Sequence, residues 1–151
     1  MIKKSLVLGF FMVLPFQLSA QTAVKLETLL NEKAASWSAA AAFALEASEK
    51  GVYSDPLAAF NFAQEHEWLP KNVKPEDSAR LNGVALLLMR SFDQKGGIFY
   101  SLAKSPHHAY RELAYKGVIR GNADPGMTVP GQELLLMIGR LLSQKEQAEQ
   151  Q

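Results

Sequence analysis

Two stretches of this chain read nearly alike: Asn82-Gly-Val-Ala-Leu-Leu-Leu-Met89 and Pro130-Gly-Gln-Glu-Leu-Leu-Leu-Met137. They lie 48 residues apart, and each follows a polar loop that contains proline. A fainter third copy is Ser38-Ala-Ala-Ala-Ala-Phe-Ala-Leu45. A period of about 20–50 residues is typical of one unit that is used repeatedly and buries its apolar face against its neighbours. The pattern therefore predicts that these segments share one core.

Local signals predict that the repeated segments are helices. Alanine, which dominates residues 39–47, has the highest helix propensity, and Ser36 is suited to cap that helix. Asp55-Pro56 and Ser105-Pro106 predict two further helix starts, because proline fits the first turn. Residues 98–102 remain open between strand, loop and helical turn. The predicted fold class is all-α, with tandem helix–loop–helix repeats, two full and one partial, and at most very short extended segments.

The first twenty residues have the pattern of an export signal. Lys3 and Lys4 form a basic start, residues 5–16 form an apolar run, and Gln17-Leu-Ser-Ala20 resembles a cleavage region. The run is shorter than the 20 or so residues of a membrane span, although an uncleaved N-terminal anchor is the alternative. The predicted organisation is a signal peptide at 1–20, a single helical domain at 21–143 and a polar tail at 144–151.

Charge and cysteine content exclude several classes of function. Cleavage after residue 20 leaves 14 basic against 15 acidic residues, a net charge of −1, so binding of nucleic acid by a basic surface is not expected. Cysteine is absent, which excludes disulfides, thiolate metal sites and cysteine nucleophiles. An exported domain of this kind depends on its apolar core, for which 48% hydrophobic residues are sufficient.

Residues 109–137 resemble the S-layer homology repeat, a helix–turn–helix unit of bacterial cell envelopes. The most specific piece is Leu113-Ala-Tyr-Lys-Gly-Val-Ile-Arg-Gly121. The resemblance implies attachment to peptidoglycan-linked polymers. The second helix of that family usually begins with a Thr-Arg-Ala-Glu-like motif whose arginine contacts the anionic polymer. The matching tetrapeptides here, Pro130-Gly-Gln-Glu133 and Asn82-Gly-Val-Ala85, lack the arginine and retain the acid only as Glu133.

The most conspicuous polar cluster surrounds the helix start predicted at Pro106, and it contains Lys104, His107, His108, Tyr110 and Arg111. The unpaired N–H groups of a helix start favour anions. Arginine offers planar, bidentate contacts to such a ligand, and tyrosine offers a stacking surface. A solvated helix start with Tyr110 packed inward is the alternative. Trp68, at a helix end, is expected to be half exposed. The candidate ligand-binding residues are Lys104, His107, His108, Tyr110, Arg111, Arg120 and Trp68.

Catalytic and metal-binding patterns are weak. Adjacent histidines on a helix point about 100° apart, so His107 and His108 are not expected to share one ion. No nucleophile elbow, phosphate loop or dinucleotide motif is present. No catalytic residue, metal or cofactor is therefore predicted. Glu112 and Glu133 are the candidate pair of carboxyl groups for acid–base catalysis, but the sequence gives no distance between them.

The sequence predicts a non-enzymatic binding or scaffolding module of the cell envelope, located in the periplasm or outside the cell. Its expected partner is a cell-wall polymer such as peptidoglycan, or another envelope protein, with no nucleic acid and no stable membrane span after cleavage. One alternative is a small envelope hydrolase acting on a glycan, with Glu133 or Glu112 as the acid. Another is an adaptor that docks a helix of an envelope protein.

Overall fold

The computed structural model describes the backbone of residues 15–151 and the side chains from Ala20 onward. The predicted basic start, Lys3 and Lys4, and most of the apolar run that follows it lie outside the described residues. The predicted cleavage region, residues 17–20, lies within the first helix. In the described part of the chain, no helix is both long enough and apolar enough to cross a bilayer.

The described residues form seven helices and no strand, which confirms the predicted all-α fold. Extended backbone is limited to two isolated bridges, Ser36 with Ser78 and Arg80 with Thr128. The helices are α1 (Pro15–Asn31), α2 (Trp37–Ala47), α3 (Pro56–Glu65), α4 (Leu81–Ser91), α5 (Ile98–Leu102), α6 (Pro106–Tyr115) and α7 (Gly131–Glu149).

Three predicted helix starts are confirmed by their side-chain caps. Ser36 Oγ accepts from the backbone N–H of Ala39, Asp55 Oδ1 from Leu57 and Ser105 Oγ from His108. Pro56 and Pro106 occupy the first turns of α3 and α6. Each cap satisfies an N–H group that has no partner within its own helix, so the sequence fixes these starts locally.

A closed triangle of backbone hydrogen bonds organises the centre of the fold. Ala35 N–H donates to Val129 O at 2.8 Å, Ala79 N–H to Ala35 O at 2.8 Å, and Val129 N–H to Ala79 O at 2.9 Å. Two residues after each corner a helix begins, at Trp37, Leu81 and Gly131. We call these three corners the backbone triangle. It places the starts of α2, α4 and α7 in equivalent positions.

The backbone triangle aligns α2, α4 and α7 in a register that differs from the 48-residue spacing of the repeated sequence. Its corners are 44 residues apart between Ala35 and Ala79, and 50 apart between Ala79 and Val129. Asn82 N–H donates to Pro125 O, just as Ser38 N–H donates to Pro75 O. Asn82 is therefore equivalent to Gln132, two positions beyond the Pro130 that the 48-residue spacing matches. The sequence does not reveal this two-residue shift, because consecutive leucines can be aligned equally well in either register.

Helix packing follows the same cyclic order. α2 packs on α3, α4 on α6 and α7 on α1, and α2 also contacts both α4 and α7. Leu87, Leu88, Leu134 and Met137 are all buried in one hydrophobic core, with Leu135 partly buried against it. The leucine-rich segments therefore do meet in a shared interior, as expected. Their assignment to S-layer homology repeats stays a prediction.

Residues 98–102, for which the sequence predicts strand, loop or helical turn, form the short helix α5. α7 continues to Glu149, through most of the polar tail predicted at 144–151. Gln144 Nε2 donates to Lys116 O at 2.9 Å, and Lys145 lies 4.0 Å from Glu49. These contacts tie the polar end of α7 to the rest of the domain.

Candidate functional site

A cavity of about 300 Å³ opens between the start of α7 and the loop that follows α6. Its lining combines an apolar floor with two arginines and one carboxylate. The lining residues are Leu81, Ile119, Arg120, Ala123, Met127, Val129, Pro130, Glu133 and Arg140. We call this the Arg120 cavity.

Arg140 and Glu133 form an ion pair along one side of the cavity. Their atoms Nη1 and Oε1 are 3.0 Å apart, and the side chains are 19% and 37% exposed. The two residues are seven positions apart, about two helical turns, so they lie on one face of α7. Arg140 Nη1 also donates to Val118 O at 2.8 Å, which ties the loop after α6 to α7. The charge of Arg140 is therefore already balanced.

Arg120 is the cation of this cavity whose charge is not balanced. Its Nε donates to Gly117 O at 3.3 Å, and the residue is exposed. Among the residues that the structure describes, no carboxylate lies within ion-pair distance of Arg120. Gly117 has a φ of +72°, a conformation that glycine adopts without strain, and this turn sets the position of Arg120.

The residue two positions after each triangle corner packs differently at each of the three corners. The ring of Trp37 fills the space next to Gly83, where an added Cβ would lie 2.4 Å from Trp37 Cη2. Gly131 admits the backbone of Leu29, whose oxygen would lie 1.7 Å from an added Cβ. Leu81, the third equivalent residue, lines the Arg120 cavity next to Glu133, while a second opening, of about 470 Å³, borders Trp37 itself.

The polar cluster predicted at the start of α6 is present as a group of rings. The rings of His107 and His108 lie 5.4 Å apart, and His108 stacks on Phe99 with centroids 6.2 Å apart. Tyr110 is turned away, since its hydroxyl donates to Ala123 O at 2.6 Å and holds the loop that borders the Arg120 cavity. Arg111 is exposed on the same helix.

The predicted ligand-binding residues therefore divide into two groups. Lys104, His107 and His108 lie at the start of α6, whereas Arg120 follows its end, about 15 Å away along a ten-residue helix. Lys104 lines a different cavity, beside Arg90 and Pro106. The structure thus gives no single site that contains all of these cations.

Trp68 lies in the core with 9% of its surface exposed, although its position at a helix end predicted a half-exposed ring. Its ring contacts Phe62 edge-on at 5.5 Å and lies 5.6 Å from His66. Trp68 N–H donates to Ala63 O, and the preceding Glu67 has a φ of +57°. This is the Schellman ending of a helix, which turns the following apolar residue inward.

The two acids considered for catalysis have different partners and environments. Glu112 Oε1 accepts from the backbone N–H of Gly97 at 2.8 Å, whereas Glu133 pairs with Arg140 in the Arg120 cavity. In the described part of the chain, no three His, Asp or Glu side chains come together as a possible metal site. The signal that sequence reading missed was the seven-residue spacing of Glu133 and Arg140.

Burial shifts the pKa of two groups, Tyr100 in α5 and Lys116 at the end of α6. Burial raises the pKa of Tyr100 above its ordinary 10.0, with Glu112 adding to the shift and Arg90 opposing it. Burial lowers the pKa of Lys116 below its ordinary 10.5, partly offset by Glu112. Lys116 Nζ donates to Gln94 Oε1 at 3.0 Å and to Lys95 O, which holds α6 against the segment before α5.

We expect the Tyr100→Phe substitution to reduce the alkaline sensitivity of folding. The unfolded chain releases the Tyr100 proton near its ordinary pKa of 10.0, whereas the folded chain keeps it to higher pH, so wild-type stability falls as pH rises above 10.0. The lowered pKa of Lys116 has the opposite effect, since it makes stability rise with pH. Because Lys116 is present in both proteins, its contribution cancels in the comparison. Urea unfolding at pH 8 and above pH 10 measures the difference. Tyr115→Phe, at a 91% exposed site, is the matched control. An equal alkaline loss in wild type and Tyr100→Phe would contradict the assignment.

Comparison with known proteins gives no relative: no protein-family model, curated protein or solved structure matches this chain.

Proposed function

We propose that this chain is an exported, non-enzymatic module of the cell envelope that binds an anionic wall polymer in the Arg120 cavity. The observation that carries the proposal is an arginine without an acidic partner in the described chain, at the rim of an apolar-floored cavity. The N-terminal signal pattern supports a periplasmic or extracellular location.

The chemistry of the cavity suits a sugar that carries a carboxylate or phosphate. A guanidinium donates two parallel hydrogen bonds to either group, and Arg120 is the residue whose charge is available for them. The apolar face of a sugar ring would lie on the side chains of Ile119, Met127 and Val129. The Glu133–Arg140 pair would orient hydroxyl groups without adding net charge to the site.

The same arrangement supports binding rather than catalysis. Most glycoside hydrolases use two carboxyl groups on either side of the scissile bond. The Arg120 cavity is lined by a single carboxylate, Glu133, which already pairs with Arg140. The available charge in the cavity is positive, as a receptor for an anion requires.

We expect the chain to co-sediment with purified peptidoglycan sacculi that retain their anionic polymers, and Arg120→Gln to weaken this binding about tenfold or more, since hydrogen bonds to charged groups are among the stronger ones. Binding should also fall as salt is raised, because an exposed ion pair is screened. The measurement is the bound fraction at several sacculus concentrations and two salt concentrations.

Arg111→Gln is the matched control, because this arginine is exposed on α6 and does not line the Arg120 cavity. Retention by Arg111→Gln together with loss by Arg120→Gln would support the Arg120 cavity. The reverse result would move the site to the start of α6. No retention of the wild-type chain at low salt would reject wall binding altogether.

A further inference from the structure

The short helix α5 turns an apolar face to solvent. Ile98, Phe99 and Leu102 are 76%, 74% and 81% exposed, respectively. At about 100° per residue these three positions fall on one side of a helix, and Tyr100 falls on the other. Three large apolar side chains side by side on a protruding turn are unlike single exposed leucines, which need no explanation.

Contacts on the inner side of α5 fix the position of its exposed apolar face. Tyr100 is only 4% exposed and anchors the inner side of α5. The backbone N–H of Gly97 donates to Glu112 Oε1 on α6, and Gly96 leaves room for the Tyr100 ring, whose Cδ1 would lie 2.5 Å from an added Cβ. The ring of Phe99 is supported on one side by His108.

The surroundings of this face are basic. Residues 94–111 carry a charge of +3 with neutral histidines, from Lys95, Lys104 and Arg111. All three of these side chains belong to exposed residues. The two acids that flank this segment are both engaged, Asp93 with Lys50 and Glu112 with the backbone N–H of Gly97. The cavity beside Leu102 is lined by three cations and one acid: Lys71, Arg90, Lys104 and Glu67. The basic character therefore extends beyond α5 itself.

We propose that α5 docks onto an anionic phospholipid surface, with Ile98, Phe99 and Leu102 entering the interface and Lys95 and Lys104 contacting headgroup phosphates. Apolar side chains at the tip and cations around them match the two layers of such a surface, hydrocarbon below and negative charge above. A protein partner would have to supply both an apolar groove and a surrounding set of acids. This binding is peripheral, and it is separate from the Arg120 cavity.

The absence of cysteine allows a direct test in the full-length chain, since a single introduced cysteine can be labelled specifically. Leu102→Cys, labelled with a polarity-sensitive fluorophore, is mixed with vesicles of phosphatidylglycerol and phosphatidylcholine or with phosphatidylcholine alone. We expect emission to rise and shift to shorter wavelength with the anionic vesicles only. Val52→Cys, at a site that is 77% exposed and outside this face, should show no change.

Variants then separate the two parts of the proposed surface. Adding Lys95→Gln or Lys104→Gln should reduce the apparent affinity for anionic vesicles about fivefold for each lysine removed. Ile98→Ser with Phe99→Ser should abolish the spectral shift while circular dichroism stays native, because both side chains are exposed. Arg120→Gln should leave the shift unchanged, which keeps this test independent of wall binding.

An unchanged signal at position 102 in the presence of anionic vesicles overturns the proposal, even if the chain binds the vesicles through its N-terminal apolar run. An equal response to phosphatidylcholine alone overturns the role of the lysines. Binding of α5 to another protein, with no response to vesicles, would also reject a lipid partner.

Discussion

Gly131→Ala is expected to destabilise the domain by about 3 kcal/mol, because overpacking at a site that cannot relax lies at the upper end of such effects. An added Cβ at this position would lie 1.7 Å from the backbone oxygen of Leu29 and 2.7 Å from its carbonyl carbon. A flexible side chain could move aside, but a backbone atom moves only with α1. Gly131 N–H also donates to Glu32 O at 3.0 Å, so any displacement breaks the contact between α1 and α7.

The same helix supplies the control for this prediction. An added Cβ at Gly139 meets no atom within 4 Å. Gly139→Ala should therefore be neutral or stabilising by up to about 1 kcal/mol, from the higher helix propensity of alanine. Urea unfolding followed by far-UV circular dichroism measures both variants. Equal midpoints for Gly131→Ala and Gly139→Ala would show that α1 does not approach the start of α7 as described.

Trp37→Ala is expected to cost about 3–5 kcal/mol, the usual range for removing a buried large aromatic side chain. Trp37 is 2% exposed, and its ring lies against Gly83 beside Pro70: an added Cβ at Gly83 would lie 2.4 Å from Trp37 Cη2 and 2.6 Å from Pro70 Cγ. Neither neighbour can extend into the vacated volume, because glycine has no side chain and proline is a rigid ring. The loss should therefore be close to that of an unrelaxed cavity.

Tyr115→Ala is the matched control, since this aromatic residue is 91% exposed, and surface substitutions of this kind usually change stability by less than about 0.5 kcal/mol. The free energy of unfolding from urea titration compares the two variants. A loss for Trp37→Ala no greater than that for Tyr115→Ala would contradict the role of Trp37 as a core residue packed against Gly83 of α4.

Parts of the fold could be predicted because their causes are local. The caps Ser36, Asp55 and Ser105 act on N–H groups within three residues, and the structure has all three. The apolar core was predictable from composition and periodicity. The sequence predicts a half-exposed Trp68, whereas its burial depends on the turn that follows α3, in which the non-glycine residue Glu67 has a positive φ. Such an ending carries a weak sequence signal.

The candidate site was only partly predictable. The sequence predicts Arg120 as a ligand-binding residue together with Lys104 and His107, and it offers Glu133 only as a possible acid beside Glu112. The structure places Arg120 and Glu133 together and adds Arg140, since the turn at Gly117 brings the loop after α6 against α7. The distance between such groups depends on how two helices pack.

The sequence by itself determined that the chain is helical, where several helices begin and that the leucine-rich segments are buried. Only the tertiary structure decided the register, 44 and 50 residues between corners of the backbone triangle, and with it which residues line the Arg120 cavity. The physical reason is that the triangle is made by N–H and C=O groups, which nearly every residue carries. The identity of a side chain can reveal a helix cap or an apolar face. It does not reveal a hydrogen bond between the backbones of two distant residues.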